Sequence, residues 1–276
     1  MNRLSLRALT LILVAGLGSG GGAIRAAGPF PDKNLETVVR AALQEPTAEL
    51  TDAKLANLSV LHADGKAIKD LTGLEKCKGL AEIRLAKNQI ADVKALKELT
   101  NLQSLDLAGN QIADVGPLGG LTRLQYLELS NNQVGDLKPL SGLSALSNLY
   151  LTKNMVADLA PLATLTKLSS LHLGKNQIKD IGPLAKIAHL GTLELTENQV
   201  ADLTPLGKMT ELHFLLLERN KIADLAPLVV MCKADAEGMK RFAPYLELNL
   251  DGNPLSDAAK NTQLKALKDI GVRVKL

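Results

Sequence analysis

The four histidines are the first candidates for catalysis or metal binding: His62, His172, His189 and His213. His62 and His172 occupy the same position of a 22-residue period, five periods apart. If each period adds one strand, at about 4.8 Å per strand, the two imidazoles are too distant to share a metal. The chain contains no H-E-x-x-H, G-x-S-x-G or phosphate-loop motif. The sequence therefore predicts no metal site, no cofactor and no enzymatic activity.

A recurrent aspartate offers a second possible chemistry, because a ladder of carboxylates could bind cations. Hard cations need about six or more oxygen ligands, and no second acidic series accompanies this one. We therefore interpret the aspartates as caps at the start of short helical turns, where Asp is a preferred residue. The series consists of Asp70, Asp92, Asp114, Asp136, Asp158, Asp180, Asp202, Asp224 and Asp257.

The two cysteines, Cys77 and Cys232, are separated by seven periods of the sequence. A disulfide needs Cα atoms within about 7 Å, so an intrachain bridge is excluded if the periods stack. Cys77 replaces a recurrent leucine and is predicted to be buried. Cys232 is expected at the surface, either available for a bond between molecules or without a function.

The period itself is the strongest pattern in the chain. Blocks of the form L-x-x-L-x-L-x-x-N-x-I/V-x-D recur every 22 residues, as in "LQSLDLAGNQIAD" at 102–114. A ninth copy, "YLELNLDGNPLSD" at 245–257, follows an 11-residue insertion. The opening leucines are Leu58, Leu80, Leu102, Leu124, Leu146, Leu168, Leu190 and Leu212. This is the signature of leucine-rich repeats.

Each L-x-L segment predicts a short strand whose alternate side chains point inward. The inward set of one repeat is Leu107, Ile112, Val115, Leu118 and Leu121. No single repeat can close such a core, so neighbouring repeats must stack. The predicted fold is an α/β leucine-rich-repeat solenoid with a parallel β-sheet on the concave face, short helical turns on the convex face, and helical N- and C-terminal caps.

Two further residue types recur where each repeat turns. An asparagine ladder is expected to pair buried backbone groups, because an amide both donates and accepts. A proline three residues after the Asp stiffens the helical turn by fixing φ. The asparagines are Asn88, Asn110, Asn132, Asn154, Asn176, Asn198, Asn220 and Asn253, and the prolines are Pro117, Pro139, Pro161, Pro183, Pro205 and Pro227.

The predicted organisation has four parts: a signal peptide at 1–27, a helical cap at 28–57, repeats at 58–257, and a cap helix and strand at 258–276. Asp32 is expected to cap the first helix, and Gly271 to end the last one. The insertion at 229–244 is expected to form a short helix with Met231, Met239 and Phe242 packing under it. That helix serves either binding or the capping of the stack.

The first residues resemble a cleaved export signal, with Arg3 and Arg7 before the apolar run "ALTLILVAGLG" at 8–18. Residues 1–26 contain three of the 32 basic residues and no acidic one, which leaves 29 basic against 29 acidic residues. A mature chain without net charge gives no electrostatic reason to expect nucleic-acid binding. We expect an exported monomer, periplasmic, cell-surface or secreted, without a membrane span after cleavage.

The outward strand positions vary between repeats while the inward positions do not. Three of the six aromatic residues fall there, and exposed aromatic residues are typical binding anchors. Tyr126, Tyr150 and His172 are expected on three consecutive strands, with Phe214 and Leu216 as a second apolar spot. The predicted partner-binding residues are Tyr126, Glu128, Asn148, Tyr150, His172, Glu194, Phe214 and Leu216.

The repeats, with "NQIADVGPL" at 110–118 and the preceding "FPDKNL" at 30–35, resemble the internalin-type class of bacterial leucine-rich-repeat proteins. The resemblance covers roughly residues 30–257. It implies a curved domain that binds protein partners on its concave face. We therefore expect a protein or peptide ligand. Two alternatives remain open: binding of a glycan or envelope polymer, and a structural spacer without a ligand.

Overall fold

The computed structural model describes residues 28–276, and the predicted signal peptide lies outside this range. Ten parallel strands form one sheet in sequence order, β1 to β10. The strands are Val60–His62, Glu82–Arg84, Ser104–Asp106, Tyr126–Glu128, Asn148–Tyr150, Ser170–His172, Thr192–Glu194, Phe214–Leu216, Glu247–Asn249 and Arg273–Lys275. The α-helices are α1 (Lys33–Leu43), α2 (Asp52–Ala56), α3 (Ala226–Glu237) and α4 (Leu264–Ile270). The predicted leucine-rich-repeat solenoid is confirmed.

A short 3-10 helix carries the chain from one strand back toward the next in most repeats. These helices are Leu74–Lys76, Lys94–Leu96, Gly116–Leu118, Lys138–Gly142, Ala160–Thr164, Gly182–Lys186, Thr204–Lys208 and Ala243–Tyr245. They form the side of the molecule opposite the sheet, which is the convex face of such a solenoid. The return segments are therefore tighter than α-helices, in keeping with their few residues.

The core is a continuous stack of aliphatic side chains between the sheet and the 3-10 helices. The middle residue of β1 to β9 is fully buried in every strand, and Leu127 and Leu149 have no exposed surface. The predicted inward set, Leu107 to Leu121, is also buried. Burying one such side chain stabilises the fold by roughly 1.5–3 kcal/mol, so each repeat depends on its neighbours for most of its stability.

The asparagine ladder makes the hydrogen bonds that its donor and acceptor groups predict. In a typical case, Asn110 Oδ1 accepts from the backbone N of Ile90 at 3.0 Å. Its Nδ2 donates to the carbonyls of Leu85 at 3.0 Å and Leu107 at 2.9 Å. Each amide therefore joins its own turn to the preceding repeat, which fixes the strand spacing along the stack.

The prediction that the aspartates are N-caps of the turns was wrong, because in most repeats the Asp lies one residue before the N-cap. Asp114 Oδ1 accepts from the backbone N of Gly116 at 2.7 Å, but the N-cap of that 3-10 helix is Val115. The Asp114 side chain thus closes an Asx turn with the backbone two residues further on, just before the helix. Pro117 follows within the first turn of the helix, where its missing N–H costs nothing.

A residue in the left-handed backbone conformation, which was not predicted from the sequence, precedes the ladder asparagine in each regular repeat. The φ angles are +57° at Lys87, +67° at Gly109 and +57° at Asn131. Glycine and asparagine adopt this region readily, whereas lysine does so at a cost. Gly109 and Asn131 were the residues from which this left-handed conformation could have been predicted.

The helical N-terminal segment is bonded to the first repeat through one carboxylate. Asp32 Oδ1 accepts from the backbone N of Asn34 at 2.9 Å and of Leu35 at 3.1 Å, which makes Asp32 the N-cap of α1. Its Oδ2 accepts from the backbone N of Lys69 at 2.8 Å. Burial would raise the pKa of Asp32, but these backbone donors hold it below the ordinary value. The charged cap therefore connects the helix to the repeats.

The C-terminal segment covers the other end of the stack. Ser256, rather than Asp257, caps the terminal helix, since its Oγ accepts from the backbone N of Ala259 at 3.2 Å. Gly271 ends α4 with φ of +108°, and β10 then pairs with β9. Among residues 28–276, no helix is long and apolar enough to cross a membrane.

Helix α3 begins at Ala226, before the insertion at 229–244, and continues into it, replacing the 3-10 helix of its repeat. Met231 and Phe242 pack into the core as predicted, but Met239 is 74% exposed, so its predicted packing was wrong. The expected exposure of Cys232 was also wrong: α3 buries it completely. Burial raises the pKa of the Cys77 and Cys232 thiols to about 12, so neither is a reactive thiolate at neutral pH.

Candidate functional site

The concave face is formed by the outward residues of the strands, which fall into two rows across the sheet. The parallel register places the first residues of successive strands side by side, for example Tyr126 beside Asn148. The third residues form the second row, which runs from Glu128 through Tyr150 and His172 to Glu194. The residue types on this face are therefore set by two positions in every repeat.

Three rings from consecutive strands pack together at the centre of this face. The ring centroids of Tyr126 and Tyr150 are 5.4 Å apart, with an interplanar angle of 43°. Tyr150 and His172 are 4.7 Å apart and stacked at 25°. We call these three residues the aromatic stack. The predicted proximity of the rings is confirmed, and the stack offers a partly exposed aromatic surface in the middle of the sheet.

Two carboxylates lie beside the stack on its N-terminal side. Asp106 and Glu128 are neighbours in register on β3 and β4. Burial raises the pKa of Glu128, and the nearby negative charge of Asp106 adds to this effect. Burial also raises the pKa of Tyr126 to about 12, and the carboxylates of Glu128 and Asp106 contribute. The phenol and both acids therefore share one electrostatic environment.

His172 is neutral at the other end of the stack. Burial lowers the pKa of its imidazole, against the opposing effect of the Glu194 carboxylate. The ring consequently adds aromatic surface without adding a positive charge at neutral pH.

We expect Glu128→Gln to stabilise the protein at neutral pH. The folded-state pKa of Glu128 is raised, so the ionised carboxylate destabilises the wild-type fold above that pKa. Protonation removes this destabilisation as the pH falls through the folded-state pKa. The melting temperature of the variant should exceed that of the wild type at pH 7, and the gap should close at a pH below 4.5, the ordinary Glu value. A gap that widens in acid would contradict this assignment.

Glu194 was predicted to bind a partner, but its carboxylate is engaged within the sheet. It is 9% exposed, and Oε2 accepts from the backbone N of Gly174 at 2.8 Å and from Thr152 Oγ1 at 3.3 Å. Oε1 accepts from the backbone N of Thr196 at 3.0 Å. Gly174 has no room for a Cβ beside this carboxylate. Glu194 thus holds together the segments that follow β5, β6 and β7 beneath the concave surface.

We expect Glu194→Ala to lower the free energy of unfolding by about 2 kcal/mol, because the buried Gly174 N–H loses its acceptor. Glu194→Gln keeps an acceptor oxygen and should lose less. Urea denaturation of the two variants measures the difference. Equal stability of the alanine variant and the wild type would show that the bonds are dispensable.

The remaining predicted residues lie on both sides of the stack. Asn148 is half-buried beside Tyr126, and its Oδ1 accepts from Ser147 Oγ at 2.7 Å. Phe214 is 45% exposed on β8, with Leu216 two positions further on the same strand. The second row places Leu216 two strands from His172, which is about 10 Å at the strand spacing. The apolar spot is therefore separate from the stack but within the reach of an extended ligand.

The other histidines do not join this site. His62 pairs with Glu82 at 2.8 Å on β1 and β2, and His189 pairs with Glu211 at 2.9 Å on the connecting segments. Within the described residues, no group of three or more His, Cys, Asp or Glu side chains could hold a metal. The arrangement on the concave face can stack on a ligand through its rings and can bond to it through the neighbouring carboxylates of Asp106 and Glu128.

A cavity of about 750 Å³ lies on the opposite side, between α3 and the preceding 3-10 helix. Met209, Met231 and Phe242 contribute to its wall. The two acids at its edge are bonded within the chain. Asp224 Oδ1 accepts from Gln263, and Asp235 Oδ2 accepts from the backbone N of Phe242 and Ala243. The cavity is formed where the insertion packs against the neighbouring leucine-rich repeats.

The comparisons with known proteins agree with this architecture. A family model of leucine-rich repeats, in two copies, matches residues 100–143 and 144–186. No functionally curated protein matches the chain.

Among solved structures, internalin C2 of Listeria monocytogenes is 36% identical with a TM-score of 0.71, over 72% of this chain and 89% of that one. The internalin inlF of the same species is 31% identical with a TM-score of 0.70, over 90% of this chain and 77% of that one. A leucine-rich-repeat protein of Leptospira interrogans, 24% identical over 81% of this chain and 56% of that one, has the same fold with a TM-score of 0.71.

Proposed function

This chain belongs to the internalin-type family of leucine-rich-repeat proteins, and we propose on that premise that it is an exported recognition module. Its concave face binds a protein or peptide partner. The fold itself is that of a protein-interaction module. The apolar segment at 8–18 supports export to the periplasm, the cell surface or the medium.

The aromatic stack is the observation that carries this proposal. Tyr126, Tyr150 and His172 bring three partly exposed rings together at the centre of the concave face, and Phe214 and Leu216 form a separate apolar spot on β8. The three rings of the stack contribute nothing to the leucine core, which is complete beneath them. Partly exposed aromatic residues at the centre of a face are typical anchors of protein interfaces.

The other predicted residues divide into two groups. Glu128, Asn148, Phe214 and Leu216 extend the contact area on both sides of the stack. Glu194 positions the sheet beneath the ligand instead of contacting it, because its oxygens are already bonded to three donors. The binding module is a monomer that presents one continuous face.

A glycan is the second candidate partner. Stacked rings with an amide and carboxylates nearby, as in Tyr150, Asn148 and Glu128, also suit a sugar. The leucine-rich-repeat fold of the internalin type, however, is that of a protein-interaction module, which favours the protein partner.

Capture from a cell-envelope extract separates these possibilities. Beads that carry the wild-type protein are expected to retain a partner, and beads that carry Tyr126→Ala/Tyr150→Ala are not. Prior treatment of the extract with protease should abolish capture, and treatment with glycosidases should leave it intact. The opposite pattern of sensitivity would establish the glycan, and equal capture by both sets of beads would refute this site.

A further inference from the structure

The charge on the central strands of the concave face is one-sided. Between β3 and β9, the two outward strand residues and the residue two positions after each strand contribute 21 positions, of which six are acidic and none is Lys or Arg. The chain beyond residue 27 as a whole has 29 basic and 29 acidic residues, so this excess of acids is local to the face. The acidic residues are Asp106, Glu128, Glu194, Glu218, Glu247 and Asp251.

Three of the six acids, Glu194, Glu218 and Glu247, have side-chain partners within the protein. Glu247 pairs with Arg273 at 2.9 Å, and Glu218 accepts from Thr196 and Asn249. Glu194 is bonded as described above. These carboxylates are therefore satisfied by hydrogen bonds or an ion pair within the protein, without a ligand.

Asp106 and Glu128 differ from the other acids on the strands. Each accepts one backbone N–H, from Ala108 and Ser130 respectively. Over residues 28–276, neither carboxylate has a Lys, Arg or His nitrogen within 4.0 Å, and Arg84, the nearest neighbour in the row, pairs with Asp64 instead. Like charges in register on adjacent strands repel each other, and no basic side chain of residues 28–276 lies within 4.0 Å of either carboxylate to offset that repulsion.

We propose that the partner is a basic segment whose Arg or Lys side chain packs against the Tyr126–Tyr150 rings and pairs with Asp106 and Glu128. This proposal rests on the proposed function and specifies the chemistry of its partner. A guanidinium is the best match, since it stacks on aromatic faces and its N–H groups can donate to two carboxylates at once.

The surrounding geometry supports a cation at this point. Tyr126 and Glu128 are both outward residues of β4, and Asp106 is in register with Glu128 on β3, so both acids lie beside the ring. The charge of Arg84 also acts on the Tyr126 phenol, and Arg84 is paired with Asp64. The partly buried setting of Glu128 strengthens its attraction for a cation relative to a fully exposed acid. The neutral His172 at the far end does not repel the incoming charge.

Selection from a displayed library of random dodecapeptides tests the proposal with defined probes. The immobilised wild-type protein should enrich peptides that contain Arg or Lys. Replacing the enriched Arg by citrulline, which keeps the shape and removes the charge, should weaken binding about tenfold or more. Asp106→Asn/Glu128→Gln should give a similar loss while keeping the backbone bonds of both side chains.

Glu98→Gln/Glu237→Gln is the matched control, since it removes two exposed acids outside the concave face and should leave affinity unchanged. Enrichment of neutral or acidic peptides, or of none, would overturn the basic partner. If enriched peptides bind through the tyrosines but ignore the citrulline change, the basic partner is refuted and the concave site stands. If peptide binding is unchanged by both Asp106→Asn/Glu128→Gln and Tyr126→Ala/Tyr150→Ala, the basic partner and the concave binding site are both refuted.

Discussion

Replacing Asn110 by alanine is expected to lower the free energy of unfolding by about 3 kcal/mol or more. The substitution leaves the backbone N–H of Ile90 and the carbonyls of Leu85 and Leu107 without partners. Asn110 is 8% exposed, so water does not replace the lost amide freely. Each unpaired buried group costs about 1–3 kcal/mol, which makes the ladder a larger contributor than any surface contact.

Gln111→Ala provides the control for this substitution, because Gln111 is the exposed neighbour of Asn110. Its replacement should change stability by less than about 0.5 kcal/mol. Urea denaturation followed by circular dichroism measures both variants, and the slope with denaturant should stay constant. Equal midpoints for the two variants would show that the amide ladder does not stabilise the stack.

Tyr126→Ala/Tyr150→Ala is expected to weaken partner binding about 100-fold or more, with little change in melting temperature. Central aromatic anchors commonly contribute about 2 kcal/mol or more each when truncated, and a tenfold change corresponds to about 1.4 kcal/mol. Both rings lie above a complete leucine layer, so their loss opens no cavity in the core. Titration with the captured partner or with an enriched peptide measures the affinity.

Tyr245→Ala is the matched control for the tyrosine variants. Tyr245 is 58% exposed and lies at the end of a 3-10 helix, outside the strand positions of the concave face. Its removal takes away a comparable aromatic surface and should leave affinity unchanged. A similar loss for Tyr245→Ala would show that aromatic content, rather than the position of the stack, determines binding.

The fold was accessible from the sequence because one pattern repeats nine times. Leucine spacing defined the strands and the core, and the amide chemistry of Asn110 was sufficient to predict its bonds. Repetition averages out the local ambiguity that limits single-element prediction. The parallel register then followed from the constant period.

Local backbone detail was not accessible in the same way. The N-cap assignment of Asp114 was wrong because an aspartate can bond to the backbone two residues on without being the cap. The exposure of Cys232 and of Met239 depended on how α3 packs, and the insertion occurs once, so no period constrains it. The left-handed residue at Lys87 was hidden by a side chain that rarely adopts this conformation.

The sequence predicted where the concave side chains lie, but not the contacts that each side chain makes. Strand alternation and the period placed Tyr126, Tyr150 and His172 next to one another, and their contacts followed. Glu194 has the same outward position, yet the glycine opposite it allows the carboxylate to turn into the sheet. An outward position in a repeat therefore indicates availability, and only the contacts of the side chain show whether it is free.

Photo-cross-linking from both faces tests the central claim most directly. A benzophenone residue is placed at Ser170, between the aromatic stack and β7, or at Lys97, which is exposed on the segment after the second 3-10 helix. Irradiation in the presence of the partner is expected to give a covalent adduct from position 170 and none from position 97. An adduct from position 97 alone, or equal adducts from both, would contradict binding through the concave face.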